Sequence, residues 1–310
     1  MKKFMIRGSC FAAIGLMLLY TLSFFYVRTN GYRSLDDMFK FYDMPDDIEV
    51  ANLGSSHGAY GFDYENISGI TGFNFALPGQ SLYYDLQVLE EYSDKLSEGC
   101  VVVIPISYFS FDQNKISEDQ TRWYYKILDY GSVYNHKLTD YVKIGLFPIL
   151  GASLNAKYLI KDKPAVAFDI YWLYAFSGID YDVEDVEAWK RDALGFLDFH
   201  NKVTAQGRNE EFNLPYLYGI IEYCQEHGFK PLLVTTPFTR YYNEVFTEEF
   251  YRDFHAKVTK IQEKYGIPYI DYSHDPRMTE DLGLFVDSNH LNAAGSKVFT
   301  KLLLSDLGLI

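Results

Sequence analysis

A serine hydroxyl is a poor nucleophile at neutral pH and attacks a carbonyl only when a neighbouring base takes its proton. One serine in this chain is placed for that chemistry. In "ANLGSSHGAYGFD", 51–63, an apolar run ends in Gly54-Ser55-Ser56-His57. Near the other end of the chain, "LFVDSNHLNAAG", 284–295, holds Asp287 and His290 three positions apart. Histidine suits the role of base because its pKa lies near about 6.5. A carboxylate on its other ring nitrogen fixes the tautomer and stabilises the imidazolium that forms. An Asp and a His at i and i+3 in a tight turn can present both side chains on one side. Acyl transfer also needs donors for the oxyanion. The backbone N–H of Ser56 is one candidate. That of Gly79, in "NFALPGQS", is a second, because glycine permits close backbone approach. His57 is a rival base, but adjacent residues rarely face each other, so its expected role is structural or substrate-contacting. His274 and Asp275 form another acid–base pair by position and read as a loop surface pair.

These residues can meet only if the chain brings distant turns to one edge. "IEVANL" (48–53), "GFNFAL" (72–77), "CVVVIPI" (100–106), "KPLLVTTP" (230–237) and "IPYIDY" (267–272) read as five strands. Between and after them lie helical patterns. Leu82, Leu86, Leu89 and Tyr92 share a face; 216–228 and 247–266 each stop at a glycine, and Asn292 is placed to cap a last helix. Strands alternating with helices predict an α/β fold, a flavodoxin-like parallel five-stranded sheet with helices on both faces. Ligands of such a sheet bind beyond the carboxyl ends of its strands. Ser56 follows the first strand, Gly79 the second, Ser107 and Tyr108 the third, and the Asp287–His290 turn the fifth. Residues 107–207 break the rhythm. They hold Trp123, Trp172 and Trp189 and many tyrosines, and read as a mostly helical, aromatic-rich cap inserted after the third strand.

The composition narrows the class further. Of 310 residues 48% are hydrophobic, with 28 Tyr and 24 Phe, enough for a large core. A net charge of -14 argues against a nucleic-acid partner. Cys10, Cys100 and Cys224 make no C-x-x-C pair and no zinc-ligand spacing; Cys100 and Cys224 read as buried free thiols, with a disulfide between them as the alternative. "DYDVEDVEAW", 180–189, reads as a solvated acidic face rather than a metal site; no metal or other cofactor is expected. Lys2, Lys3 and Arg7 precede an uncharged run from Gly8 to Val27, 20 residues long. At about 1.5 Å per residue that spans a hydrocarbon core of about 30 Å. Tyr26, Val27 and Arg28 stand where a cleavable signal would carry small residues. The expectation is a single-pass anchor in the cell membrane through residues 8–27, its basic flank cytoplasmic and the rest of the chain outside. The domain division is then 1–29 for the cytoplasmic stub and anchor, and 30–310 for the catalytic domain with 107–207 as its cap.

The pattern resembles the SGNH, or GDSL-like, hydrolase superfamily over most of residues 48–305, the insertion excepted. Gly54-Ser55-Ser56 is similar to its first block, G-D-S. Gly79 corresponds to its second-block glycine, and Asp287-Ser288-Asn289-His290 to its D-x-x-H block. The resemblance implies that Ser56 is the nucleophile and His290 the base, with Asp287 orienting the base and Ser56 and Gly79 donating to the oxyanion. Two departures stand out. Ser55 replaces the first-block aspartate, and the G-x-N-D block is absent, the third strand leaving through "IPISYFSF", 104–111. Ser107 occupies the place of the missing asparagine as a stand-in oxyanion donor, with Tyr108 beside it as a substrate contact. The anchor and the missing asparagine look like one branch of that superfamily. Its members are envelope proteins that work beside membrane-bound O-acyltransferases in lipoteichoic-acid D-alanylation and exopolysaccharide O-acetylation. What this implies is a membrane-anchored serine acyl-esterase or O-acyltransferase acting on a cell-envelope glycopolymer, without a cofactor. The alternative is a non-catalytic accessory subunit that binds a glycopolymer or a membrane-bound O-acyltransferase.

Overall fold

The five apolar runs become five strands: the three central ones bury side chains in the sheet, and the two at its edges are half-buried. The computed structural model describes residues 1–35, 37–112, 116, 121–163, 181–205 and 210–310. Its strands are β1 (Ile48–Asn52), β2 (Gly72–Asn74), β3 (Leu96–Pro105), β4 (Lys230–Thr235) and β5 (Tyr269–Asp271). All pair in parallel, in the order β2-β1-β3-β4-β5. This is the doubly wound, flavodoxin-like α/β arrangement expected from the sequence. The order reverses between β1 and β3, and at such a switch point the carboxyl ends of the two strands open a crevice. Val50, Ala51, Val103 and Ile104 at the centre of the sheet are wholly buried.

β3 starts earlier than the apolar pattern suggests. Leu96 already pairs with Ile48, and the register shifts before Val101 meets Val50. The extra residues bulge between these pairs, where Gly99 takes φ +74°. A bulge of this kind lets polar residues extend a strand without entering the core.

Among the described residues, the α-helices of six residues or more are α1 (Lys2–Tyr26), α2 (Ser56–Gly61), α3 (Leu82–Glu91), α4 (Val186–Ala205), α5 (Glu210–Glu226), α6 (Glu248–Tyr265) and α7 (Ala293–Asp306). Asn292 caps α7 as expected, its Oδ1 accepting from the N–H groups of Ala294 and Gly295 at 2.9 and 3.0 Å. Gly266 closes α6 at φ +65°, the left-handed cap that glycine adopts at no steric cost. Cys100 and Cys224 are buried free thiols.

The chain divides into two compact units. One comprises residues 1–43 with 116–168, the other 44–115 with 169–310. In the first, α1 is 25 residues long and contains an 18-residue stretch of mean hydropathy 1.8, long and apolar enough to cross a membrane. Phe4, Phe11, Met17 and Tyr20 along it are exposed. Below it Tyr26, Tyr32, Ala152 and Tyr158 form a small core. The Asp162 carboxylate caps the following turn, accepting from the N–H groups of Asn30 and Gly31, both at 2.8 Å. Residues 121–159 of this unit run as short helical turns. The second unit holds the sheet and helices α2 to α7. The stretch expected as one cap thus contributes to both units, and Trp172 lies outside the described residues.

Candidate active site

β1 ends at Asn52, and two residues later the chain turns sharply at Gly54, φ +117°. A Cβ there would lie 3.0 Å from the Pro105 ring, so both the backbone angle and the close approach of β3 call for glycine. The turn delivers Ser56 as the first residue of α2, in the helix's opening turn, where backbone N–H groups have no intrahelical acceptor. Asn74, on the neighbouring strand, fixes the far end of α2. Its Nδ2 donates to the carbonyl of Phe62 at 2.9 Å and to those of Gly58 and Ala59 at 3.1 Å.

Ser56 Oγ lies 2.8 Å from His290 Nε2. On the other side of the ring, His290 Nδ1 lies 2.9 Å from Asp287 Oδ2 and 3.0 Å from Oδ1. Asp287 is 1% exposed, and its Oδ1 also accepts from the backbone N–H groups of Asn289 and His290 at 3.0 and 2.8 Å. A carboxylate so engaged holds the Nδ1 proton and leaves Nε2 to accept from the serine. The two ends of the sequence, 234 positions apart, therefore meet beyond the carboxyl end of β1.

The turn that carries this pair is itself clamped at Ser288. Its carbonyl accepts from Thr239, at 2.7 Å from Oγ1 and 3.1 Å from N. Its N–H donates to Asp192 Oδ2 at 2.8 Å, and Tyr181 Oη donates to Asp192 Oδ1 at 3.0 Å. Burial raises the Asp192 carboxyl above its usual range, and the nearby Asp287 charge adds to the rise. A second clamp lies under the Ser56 turn. Asp85, buried on α3, accepts from Gly54 N–H and from Gln80 Nε2, both at 2.7 Å on Oδ1. One carboxylate oxygen thus ties the Ser56 turn to the turn that holds Gly79, which sits exposed at φ +74°. Burial pushes Asp85 up to about 7, against the opposing pull of its bonds to Gln80 and Gly54.

Ser107 and Tyr108 are placed differently from expectation, and His57 takes the structural one of its two expected roles. Ser107 is buried, with its Oγ 2.5 Å from His57 Nδ1, so that hydroxyl is committed to histidine rather than presented to an oxyanion. His57 is 2% exposed and packs against His290, ring centroids 4.7 Å apart. Burial holds its pKa well below 6.5, and the neighbouring His290 and His200 push the same way. It is a neutral wall of the site, not a substrate contact. Tyr108 is a core residue, its hydroxyl 3.0 Å from Asn243 Oδ1 and its ring among Phe238, Phe246 and Phe254. For Ser107 and Tyr108 the reason is common: "IPISYFSF" continues inward from β3, and its residues are buried or nearly so; His57 is buried by its place on α2. Asp275, once a candidate in a second acid–base pair, is bound by Arg277 at the surface. Among the described residues, no group of three or more His, Cys, Asp or Glu could hold a metal.

No family model matches the chain, and no curated protein matches it either. Solved structures with a partly similar path include a protein described as an acylhydrolase from Bacteroides fragilis. It is 12% identical with a TM-score of 0.39, over 87% of this chain and 92% of that one. A GDSL-like lipase from Bacteroides thetaiotaomicron is 11% identical with a TM-score of 0.38, over 87% of this chain and 95% of that one. Likeness at that distance carries no argument about this chain's chemistry.

Proposed function

We propose that this chain is a serine acyl-esterase or O-acyltransferase, anchored in the cell membrane by α1, that acts on a cell-envelope glycopolymer. The single observation that carries the chemistry is Ser56 Oγ at 2.8 Å from His290 Nε2, with Nδ1 of the same ring on Asp287. In the first half-reaction Ser56 Oγ bonds to the ester carbonyl carbon as its proton passes to Nε2. Asp287 stabilises the imidazolium, and the N–H groups of Ser56 and Gly79 receive the oxyanion. The tetrahedral adduct collapses, the C–O bond to the alcohol breaks, and the leaving oxygen takes the proton from Nε2. In the second half, water or an acceptor hydroxyl gives its proton to Nε2 and attacks the acyl-enzyme, and Ser56 recovers its proton on collapse.

The envelope setting is supported by the length and apolar surface of α1 and by the basic residues before its uncharged run. A net charge of -14 sets the chain apart from nucleic-acid binders. A membrane-bound O-acyltransferase is the partner that would supply acyl groups at that location.

The test is turnover of a chromogenic acetyl ester by the wild type and by Ser56→Ala. Turnover that Ser56→Ala removes, at unchanged melting temperature, is the expected result. Turnover that survives the substitution refutes Ser56 as nucleophile, and none in either protein favours an accessory binding subunit.

A further inference from the structure

Beside the Asp287–His290 turn lies an open cleft of about 560 Å³, within the range of small-molecule sites. Its wall is the face of α4 that carries Ala188, Gly195, Phe196 and Phe199, with the ring of Tyr181 opposite. The cleft adjoins the site at two points. The Phe196 ring packs edge-on against His290, centroids 5.8 Å apart. Asp192, also in the wall, binds the N–H of Ser288.

The chemistry of this wall selects its occupant. A sugar needs several polar groups free to meet its hydroxyls. Here the two Asp192 oxygens are already taken, one by Ser288 N–H and the other by Tyr181 Oη. Arg191, exposed, is the remaining charged group of the lining. The rest of the lining among the described residues is mainly carbon: two phenylalanines, the Tyr181 ring, an alanine and a glycine. Phe199 in this lining is 59% exposed, a large apolar side chain left open to solvent. Gly195 sits on the α4 surface, and among the described residues nothing lies within 4 Å of where a Cβ would be. Glycine in mid-helix weakens the helix, and here it leaves the wall open.

We propose that this cleft is an acyl-chain site, which takes the hydrocarbon chain of an ester whose carbonyl lies at Ser56, with Gly195 setting its depth. The proposal rests on the reading of Ser56 as nucleophile and adds the substrate class: esters of acyl chains longer than acetyl. Because α4 both lines the cleft and holds Ser288 through Asp192, a chain seated there lies against the helix that orients the catalytic turn.

The test uses the full-length chain with p-nitrophenyl acetate and p-nitrophenyl octanoate. The wild type should favour the octanoyl ester in kcat/KM. Gly195→Phe, which fills the cleft from a sterically free position, should lower kcat/KM for the octanoyl ester by about tenfold or more, the effect of excluding a few methylenes, and change the acetyl ester less than about twofold. Gly195→Ala should keep the preference. Octanoate binding to Ser56→Ala, measured by calorimetry, reads the cleft without turnover; binding that Gly195→Phe abolishes supports the site. A Phe variant with an unchanged chain-length profile, equal losses on both esters, or no octanoate binding to Ser56→Ala overturns the acyl site. These outcomes are separable from failure of the nucleophile, which is turnover that survives Ser56→Ala.

Discussion

Asp85 offers the sharpest quantitative check on the structure. It sits on α3 at 2% exposure, and its Oδ1 accepts from Gly54 N–H and Gln80 Nε2. Burial raises its pKa from 3.8 to about 7. The sign follows from linkage. The folded state binds the proton more tightly than the unfolded state, so there is no penalty below pH 3.8. The penalty grows as pH rises from 3.8 towards 7 and is constant above. Each pH unit in that window is worth about 1.4 kcal/mol. Asp85→Asn keeps an acceptor oxygen for both donors but has no charge to bury. Between pH 4.5 and pH 8.5 the variant should therefore gain on the wild type by about 3 kcal/mol. The new amide N–H groups add a cost of their own, but that cost is the same at both pH values and cancels in the comparison. The assay is urea unfolding of both proteins at the two pH values, followed by circular dichroism. Parallel stabilities across the window would refute the buried-carboxylate reasoning, and a gap that narrows with rising pH would reverse its sign.

Two further outcomes follow from the site. Asp287→Asn keeps an oxygen for the N–H groups of Asn289 and His290 but presents an NH₂ to His290 Nδ1; kcat for ester turnover should fall by about 10³–10⁴ while the fold persists, checked by kinetics alongside thermal melting. Offered a soluble glycan acceptor, the wild type should divert acyl groups from free acid to acylated glycan, because a positioned hydroxyl gains what water does not; product analysis showing free acid alone, at an unchanged rate, would mark a plain esterase.

The elements that place the site were legible where local pattern decides them. Ser56 could be read because a glycine-led turn follows a short apolar run, and Asp287 with His290 because their spacing and the Asn292 cap fall just before a helix. The parallel sheet followed from alternation alone. What could not be read is contact across the fold. Asp85 lies among Leu82, Val88 and Leu89 on a buried face, and nothing local says that its carboxylate meets Gly54, 31 positions away. Asp192 reads as one more charge near an acidic stretch until α4 brings it to Ser288. Thr239 falls just past the expected strand at 230–237, and nothing local says that it donates to the Ser288 carbonyl, 49 positions away. Ser107 and Tyr108 depart from expectation for the converse reason. Their types suit a polar site, but exposure depends on packing, and the aromatic residues after β3 close over them.

The central claim is that Ser56 is a nucleophile activated by His290, and covalent labelling tests it most directly. The full-length chain would be treated with a fluorophosphonate probe and the adduct located by peptide mass spectrometry. The account requires a single adduct on Ser56, lost in Ser56→Ala and greatly slowed in His290→Ala, with both variants folded. A folded wild-type protein that takes no label, or an adduct on another serine that persists in Ser56→Ala, would contradict it.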